Sequence, residues 1–166
     1  MKKVKSIVEV SSYLLLIAFS SVLIYQQVFS KSPEDTQNIA VGDTYEALKQ
    51  IVPKGASEAL LLALSPDCPY CEKSMAFYEE LIASRDKSKS ELKVIAAVHS
   101  EVPTEREKAA LEDHNVVVDQ LVQLDFASLK IMGVPAMLLV DEDGEVQEIW
   151  NGQPDENAQK EILELL

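Results

Sequence analysis

The chain is poor in cysteine, glycine and positive charge. It has two cysteines and five glycines among 166 residues, and 15 basic residues against 28 acidic ones. With no second cysteine pair, a four-cysteine zinc site is excluded, since structural zinc needs four protein ligands. The formal net charge of −13 argues against binding to nucleic acid or to anionic lipid surfaces. The sequence also lacks a P-loop and a dinucleotide-binding fingerprint.

An uncharged stretch, residues 10–29, lies near the N-terminus. A helix of about 20 residues spans about 30 Å, the thickness of a bilayer's hydrocarbon core. Lys2, Lys3 and Lys5 precede it, so the positive-inside rule predicts a single-pass anchor with residues 1–9 in the cytoplasm and the remainder exported, on the periplasmic side. The rival interpretation is a cleaved signal peptide, although no A-x-A cleavage site follows the stretch. Both place the cysteines outside the cytoplasm, where disulfides persist.

The rest of the chain divides into a linker and one domain. Residues 30–40 are polar and show no apolar period, which predicts a linker next to the membrane. Residues 41–166 suffice for one ordinary domain. Apolar runs typical of strands alternate there with helical patterns, and an Asp-Gly turn near the end indicates a hairpin. The pattern predicts an α/β domain with a mixed central sheet and helices on both faces.

The predicted elements follow from apolar periodicity and from turn residues. Strands are predicted at 58–64, 92–98, 116–118, 136–140 and 145–150. Helices are predicted at 45–51, 68–85, 103–114, 125–132 and 154–166. Asp43 or Thr44 is expected to cap the first helix.

Cys68 and Cys71 stand three residues apart, where a buried strand is predicted to turn into a helix. Cys68 is expected in the first helical turn, where unpaired N–H groups and the helix dipole favour a thiolate. Cys71 falls on the same helical face and can form a disulfide with Cys68. Pro69 suits this turn because it has no N–H to leave unsatisfied. The spacing predicts redox chemistry, with metal handling and an inert disulfide as alternatives.

Four features occur in an order that resembles the thioredoxin superfamily. They are the apolar N-terminal segment, VGDT at 41–44, SPDCPYC at 65–71, and GVP at 133–135 followed by LLVDEDGEV. More narrowly, they resemble the membrane-anchored, TlpA-like thiol–disulfide oxidoreductases. This group includes ResA- and DsbE-type cytochrome c maturation proteins and MauD-type proteins. The resemblance covers residues 39–166.

The resemblance implies a fold and an activity. The fold would be a thioredoxin-like three-layer sandwich, preceded by one transmembrane helix. The activity would be exchange of disulfides with exported proteins through a redox-active Cys68–Cys71 pair, in the reductive direction, as in cytochrome c maturation. No cofactor or metal would be needed, and a membrane redox partner would regenerate the pair.

The resemblance also implies roles for single residues near the cysteines. The bond before Pro135 should be cis and should face the cysteine pair. It would leave the backbone of Val134 free to pair with an extended substrate, since Pro135 supplies no competing N–H. Tyr70 should be exposed and, with Pro69, would contact the partner protein. The alternative is a trans Pro135 that merely starts a strand.

The chain departs from the family's pattern around the cysteines. Thioredoxins carry a buried acid six residues before the first cysteine, where this chain has Leu62. Many TlpA-like proteins carry an acid three residues after the second, where this chain has Ser74. Asp67 and Glu72 are therefore the candidate bases for the second cysteine, and the alternative for both is a solvated position. Asp67 could also cap the helix and partly offset the dipole that favours the first thiolate.

His99 is the remaining candidate for tuning the site. It ends the second predicted strand, at the sheet edge expected to carry the cysteines. It could tune Cys68, complete a copper(I) site with both thiolates, or be an ordinary loop histidine. A copper(I) metallochaperone is thus the alternative function, and an interaction domain with a vestigial site is a third. The charged part of the third helix, residues 104–113, is expected to present a solvated face.

Overall fold

The computed structural model describes residues 38–166, which form a five-stranded sheet in the order β3-β2-β1-β4-β5. The strands are β1 Glu58–Leu64, β2 Lys93–His99, β3 Gln120–Leu124, β4 Ala136–Asp141 and β5 Val146–Asn151. The helices are α1 Glu46–Ile51, α2 Pro69–Ser88, α3 Thr104–Asp113 and α4 Glu156–Leu163. Within residues 38–166, no helix is long and apolar enough to cross a membrane. The predicted anchor at 10–29 lies outside the described residues.

The sheet is mixed, as predicted. β1 pairs in parallel with β2, and β2 pairs in parallel with β3. β4 runs antiparallel to both β1 and β5, which completes the hairpin at the Asp-Gly turn. β1 is the central strand, and its residues from Ala59 to Leu64 are at most 1% exposed. A strand buried on both faces needs apolar residues throughout, which is the pattern of the run at 58–64.

Two apolar cores lie on the two faces of this sheet. On the first face, Met75 of α2, Leu111 of α3 and Ile162 of α4 belong to one buried cluster. On the second face, Leu48 of α1 and Phe126 belong to another. The three layers and the helices on both faces therefore agree with the thioredoxin-like fold that the resemblance implied.

The predicted third strand is wrong in position. Val116 to Val118 form no strand, and β3 begins at Gln120. Val116 is 3% exposed and packs into the first core. Asp119 exchanges two hydrogen bonds of 2.8 Å with the backbone of Val94, one through its N–H and one through its carboxylate. The three consecutive valines thus have the composition of a strand without forming one, while Asp119 sets where the pairing of β3 with β2 begins.

The predicted helix at 125–132 is also wrong, because the segment forms turns. The Asp125 carboxylate accepts hydrogen bonds from the N–H groups of Ala127 and Ser128, and Lys130 has a left-handed φ of 57°. The apolar side chains that suggested a helix are buried against the second core instead: Phe126, Leu129 and Ile131. An aspartate that closes its own turn competes with helix formation.

The predicted cap of α1 is the third correction. The N-cap residue is Tyr45, and no side chain caps the helix. The Asp43 carboxylate accepts hydrogen bonds from the Ala40 N–H and from the Tyr45 hydroxyl. The Tyr45 N–H donates to the Gly144 carbonyl. Gly144 has a φ of +79°, and a Cβ there would lie 2.6 Å from the Tyr45 carbonyl oxygen and from the Lys49 nitrogen, so this approach requires glycine.

Candidate dithiol site

The first cysteine caps the helix that follows β1. Cys68 is the N-cap residue of α2, with extended backbone, and Pro69 occupies the first turn. The Cys71 N–H donates a hydrogen bond of 3.2 Å to the Cys68 sulfur. The prediction that Asp67 caps this helix is therefore wrong, because the sulfur takes that position. A sulfur that accepts a helix N–H is well placed to carry negative charge.

The peptide bond between Val134 and Pro135 is cis, as predicted. It faces the cysteine pair, since the Cys68 thiol donates a hydrogen bond of 3.3 Å to the Val134 carbonyl. Pro135 is buried, and its carbonyl accepts a hydrogen bond from the Gly152 N–H at the end of β5. The turn before β4 is thereby held against the neighbouring strand while Val134 borders the sulfur.

A groove lies beside this proline turn. Its volume is about 260 Å³, and its lining includes Asn38, Met132, Gly133, Val134 and Asn151. The surface around the site also exposes two large apolar side chains, Met132 at 71% and Tyr70 at 58%. Tyr70 is thus exposed, as predicted. The site therefore combines an accessible sulfur, a groove and apolar contact surface.

The second cysteine is in a different environment. Cys71 is 1% exposed and belongs to the first core, whereas Cys68 is half-buried. Burial raises the pKa of the Cys71 thiol, and its hydrogen bond with the Cys68 sulfur adds to this effect. The thiol of Cys71 therefore needs help to ionise, while Cys68 is the sulfur that a partner can reach.

A buried acid that the sequence analysis missed interacts electrostatically with this thiol. Glu107 of α3 is 0% exposed, and burial raises its pKa from 4.5 to about 7. Neither carboxylate oxygen has a hydrogen-bond partner within residues 38–166. Its charge contributes to raising the pKa values of Cys71 and Tyr78. The expected solvated face of α3 is therefore wrong at this position.

The signal for Glu107 was present in α3. Leu111, the one large apolar residue of that helix, is 3% exposed. Residues four apart share a helix face, so the face that buries Leu111 also carries Glu107.

The two acids proposed as bases instead bind side chains of α3. The Arg106 guanidinium donates to both carboxylate oxygens of Asp67, at 2.8 and 3.2 Å. Glu72 lies 3.1 Å from the imidazole Nε2 of His114. Both acids are largely exposed, with side-chain exposures of 74% and 65%. Their contacts with Arg106 and His114 link α3 to the start of α2.

His99 lies at the expected sheet edge but on the other face. Its ring packs edge-on against Phe126, with ring centroids 5.7 Å apart, and Phe126 belongs to the second core. Its Nδ1 accepts a hydrogen bond from the Glu101 N–H. In the part of the chain that the structure describes, no group of three or more His, Cys, Asp or Glu side chains could hold a metal ion. The copper alternative thus loses its third ligand.

A family model described as a thioredoxin-like domain matches residues 44–166. Solved structures show the same fold. StoA from Bacillus subtilis is 14% identical, with a TM-score of 0.54 over 69% of this chain and 85% of that one. A secreted disulfide oxidoreductase from Mycobacterium tuberculosis, homologous to DsbE of E. coli, is 14% identical, with a TM-score of 0.52 over 67% and 83%.

The thioredoxin domain of a thiol–disulfide oxidoreductase from Bacteroides vulgatus is 13% identical, with a TM-score of 0.52 over 76% of this chain and 97% of that one. A search of curated proteins found no match. The fold and the paired cysteines opposite a cis-proline are those of a thiol–disulfide oxidoreductase. The chain belongs to the thioredoxin-like family.

Proposed function

We propose that this protein exchanges disulfides with exported proteins and works mainly as a reductant. The observation that carries the proposal is the contrast between its two sulfurs. Cys68 is half-buried and hydrogen-bonded to the carbonyl before Pro135, while Cys71 is buried behind it. A partner can reach only the first sulfur with ease, and the second is three residues away within the same motif.

The chemistry proceeds in two exchanges. The Cys68 thiolate attacks one sulfur of a substrate disulfide, which breaks that bond, releases one substrate thiolate and forms a mixed disulfide. The Cys71 thiolate then attacks the Cys68 sulfur, which releases the second substrate thiolate and leaves the Cys68–Cys71 disulfide. The substrate gains two electrons and the dithiol loses two. A second dithiol protein must supply two electrons and two protons to restore the pair.

The substrate segment is proposed to lie along the proline turn. The groove beside Val134 and Pro135 holds about 260 Å³, enough for a few side-chain atoms of an extended segment. Backbone pairing with Val134 would hold that segment while its sulfur meets Cys68. Pro69 and the exposed Tyr70 would contact the partner beside it. Main-chain pairing recognises an extended segment more than a particular sequence.

The proposed location is the outer side of a membrane. The support is the uncharged segment at 10–29 with lysines before it. Exported proteins that must carry free thiols, such as apocytochrome c before haem attachment, are substrates of the right chemistry for a reductant there. A membrane-bound dithiol donor would regenerate the enzyme.

The test is to trap mixed disulfides in cells that express the full-length chain. Cys71→Ala removes the resolving thiol, so adducts on Cys68 should accumulate after acid quenching and thiol blocking. The matched control is Cys68→Ala, which keeps the buried thiol and should yield no adducts. Mass spectrometry of the reducible adducts should identify exported proteins. Adducts with cytoplasmic proteins would contradict the proposed location. If Cys71→Ala forms no adducts under conditions in which the wild type is active, the exchange scheme is contradicted.

A further inference from the structure

We propose that Glu107 is the proton acceptor for Cys71 in the step that resolves the mixed disulfide. The inference rests on the proposed exchange function and adds the group that activates its second thiol. Asp67 and Glu72, the acids nearest in sequence, bind Arg106 and His114 instead. The carboxylate comes from α3, a separate element that the chain reaches only after β2.

Two side-chain contacts link α3 to the beginning of α2. Arg106 in the first turn of α3 binds Asp67, and His114 at its C-cap lies 3.1 Å from Glu72. Between these ties, Glu107 and Leu111 lie one turn apart and face inward. Leu111 packs in the same buried cluster as Cys71. The carboxylate is thereby fixed in the layer that contains the buried thiol.

Among residues 38–166, the Glu107 carboxylate has no structural partner that accounts for its burial. Both of its oxygens are inaccessible and lack hydrogen-bond partners within residues 38–166. Burying a carboxylate without a hydrogen bond or a counter-charge opposes folding. Buried acids of this kind occur at sites where a perturbed proton affinity is used in chemistry.

The charges around Glu107 favour a single negative charge in this layer. The titratable groups that its charge affects are Cys71 and Tyr78, both from α2, and each is neutral when protonated. The cations on its own helix, Arg106 and Lys108, pair at the surface with Asp67 and Glu112. Ionising Cys71 beside an ionised Glu107 would bury two negative charges. Moving the proton from sulfur to carboxylate keeps one, which costs less in a low-dielectric interior.

The resolving step then transfers one proton and exchanges one sulfur–sulfur bond for another. The Cys71 thiol gives its proton to the Glu107 carboxylate, directly after a side-chain rotation or through one water. The Cys71 thiolate attacks the Cys68 sulfur, the bond from that sulfur to the substrate breaks, and the substrate leaves as a thiolate. The proton on Glu107 is afterwards exchanged with solvent. Glu107 touches no substrate in this scheme and acts through Cys71.

The experiment follows the two exchanges separately with a small aromatic disulfide, dithiobis-nitrobenzoate, and the reduced full-length chain. Attack by Cys68 releases the first thionitrobenzoate, and attack by Cys71 releases the second. Stopped-flow absorbance should show that Glu107→Gln leaves the first phase unchanged. It should slow the second by about 100-fold near neutral pH, the size typical of a lost general base. The control is Glu105→Gln, an exposed acid on the same helix.

The pH profile separates proton transfer from a structural effect. In the wild type the rate of the second phase should rise around pH 7, where Glu107 loses its proton. The rise should be absent from Glu107→Gln and partly restored in Glu107→Asp. Equal second-phase profiles for Glu107→Gln and the wild type would overturn the proposal. Because the probe is a small disulfide, failure to trap exported partners in cells would count against the proposed function and leave this result unaffected.

Discussion

The two sides of the dithiol differ in how they are built. The front side consists of Cys68, Val134 and Pro135, and the back side of Cys71, Tyr78 and Glu107. At the front, the Cys68 sulfur bonds to backbone groups: it accepts a hydrogen bond from the Cys71 N–H and donates one to the Val134 carbonyl. At the back, side chains from two helices surround a thiol that is 1% exposed. The difference indicates that the attacking sulfur must be accessible to a partner, whereas the resolving thiol needs a group that accepts its proton.

This division also explains why burying Cys71 is compatible with activity. Its partner in the second exchange is the Cys68 sulfur of the same motif, so Cys71 never has to reach solvent. Burial raises its pKa and lowers its reactivity toward other disulfides. The buried thiol is thereby reserved for one reaction, provided that a base such as Glu107 is available.

The largest stability effect expected on the back side comes from Glu107→Gln. The folded state raises the pKa of Glu107 from 4.5 to about 7, so folding disfavours the charged form. The wild type is therefore fully stable only below the unfolded-state pKa. It should lose up to about 3 kcal/mol of unfolding free energy as pH rises through 7. Glu107→Gln has no titratable group at this position, so it does not undergo this loss. It should therefore be more stable than the wild type at about pH 8.

Urea unfolding of the full-length chain at acid and alkaline pH measures this effect. The advantage of Glu107→Gln should vanish well below pH 4.5, the ordinary pKa of this carboxyl group, where both states of the wild type are protonated. Glu105→Gln is the control and should show no such pH dependence. If Glu107→Gln lowers the unfolding free energy at alkaline pH, the carboxylate stabilises the fold. That result would contradict the proposed difference between the front side and the back side.

A smaller effect on stability is expected from the surface ion pair that links α3 to the residue before Cys68. Arg106→Gln removes the exposed ion pair with Asp67, and exposed pairs contribute little to folding. Unfolding free energy should fall only slightly, and less still at high salt. Lys108→Gln, which removes an exposed pair within α3, is the matched control. A loss of unfolding free energy as large as the change predicted for Glu107→Gln would contradict this expectation. It would mean that the ion pair contributes more than the packing of Leu111 to holding α3 in place.

The front side could be predicted from the sequence, because its chemistry lies in contiguous motifs. The run that became β1, the CPYC motif and the Val-Pro turn each carry a local signal, and the family resemblance linked the last two. The back side could not be predicted in the same way. Glu107 stands among charged residues of a helix with little apolar character, and its burial depends on how α3 packs over α2.

The two misplaced elements have a similar cause. Val116 to Val118 read as a strand by composition, but the contact between Asp119 and Val94 delays pairing until Gln120. The segment after Asp125 has helical spacing, but Asp125 closes a turn on Ala127 instead. In both cases one aspartate side chain bonded to the backbone decided the outcome.

The most direct test of the central claim is to identify which sulfur forms the mixed disulfide. Purified full-length Cys71→Ala should react with a peptide disulfide and gain one peptide half, which peptide mapping by mass spectrometry should locate on Cys68. The reciprocal Cys68→Ala variant, with its buried thiol, should gain almost none under the same conditions. Comparable adducts on Cys71 in the Cys68→Ala variant would contradict the division into an attacking front sulfur and a resolving back sulfur.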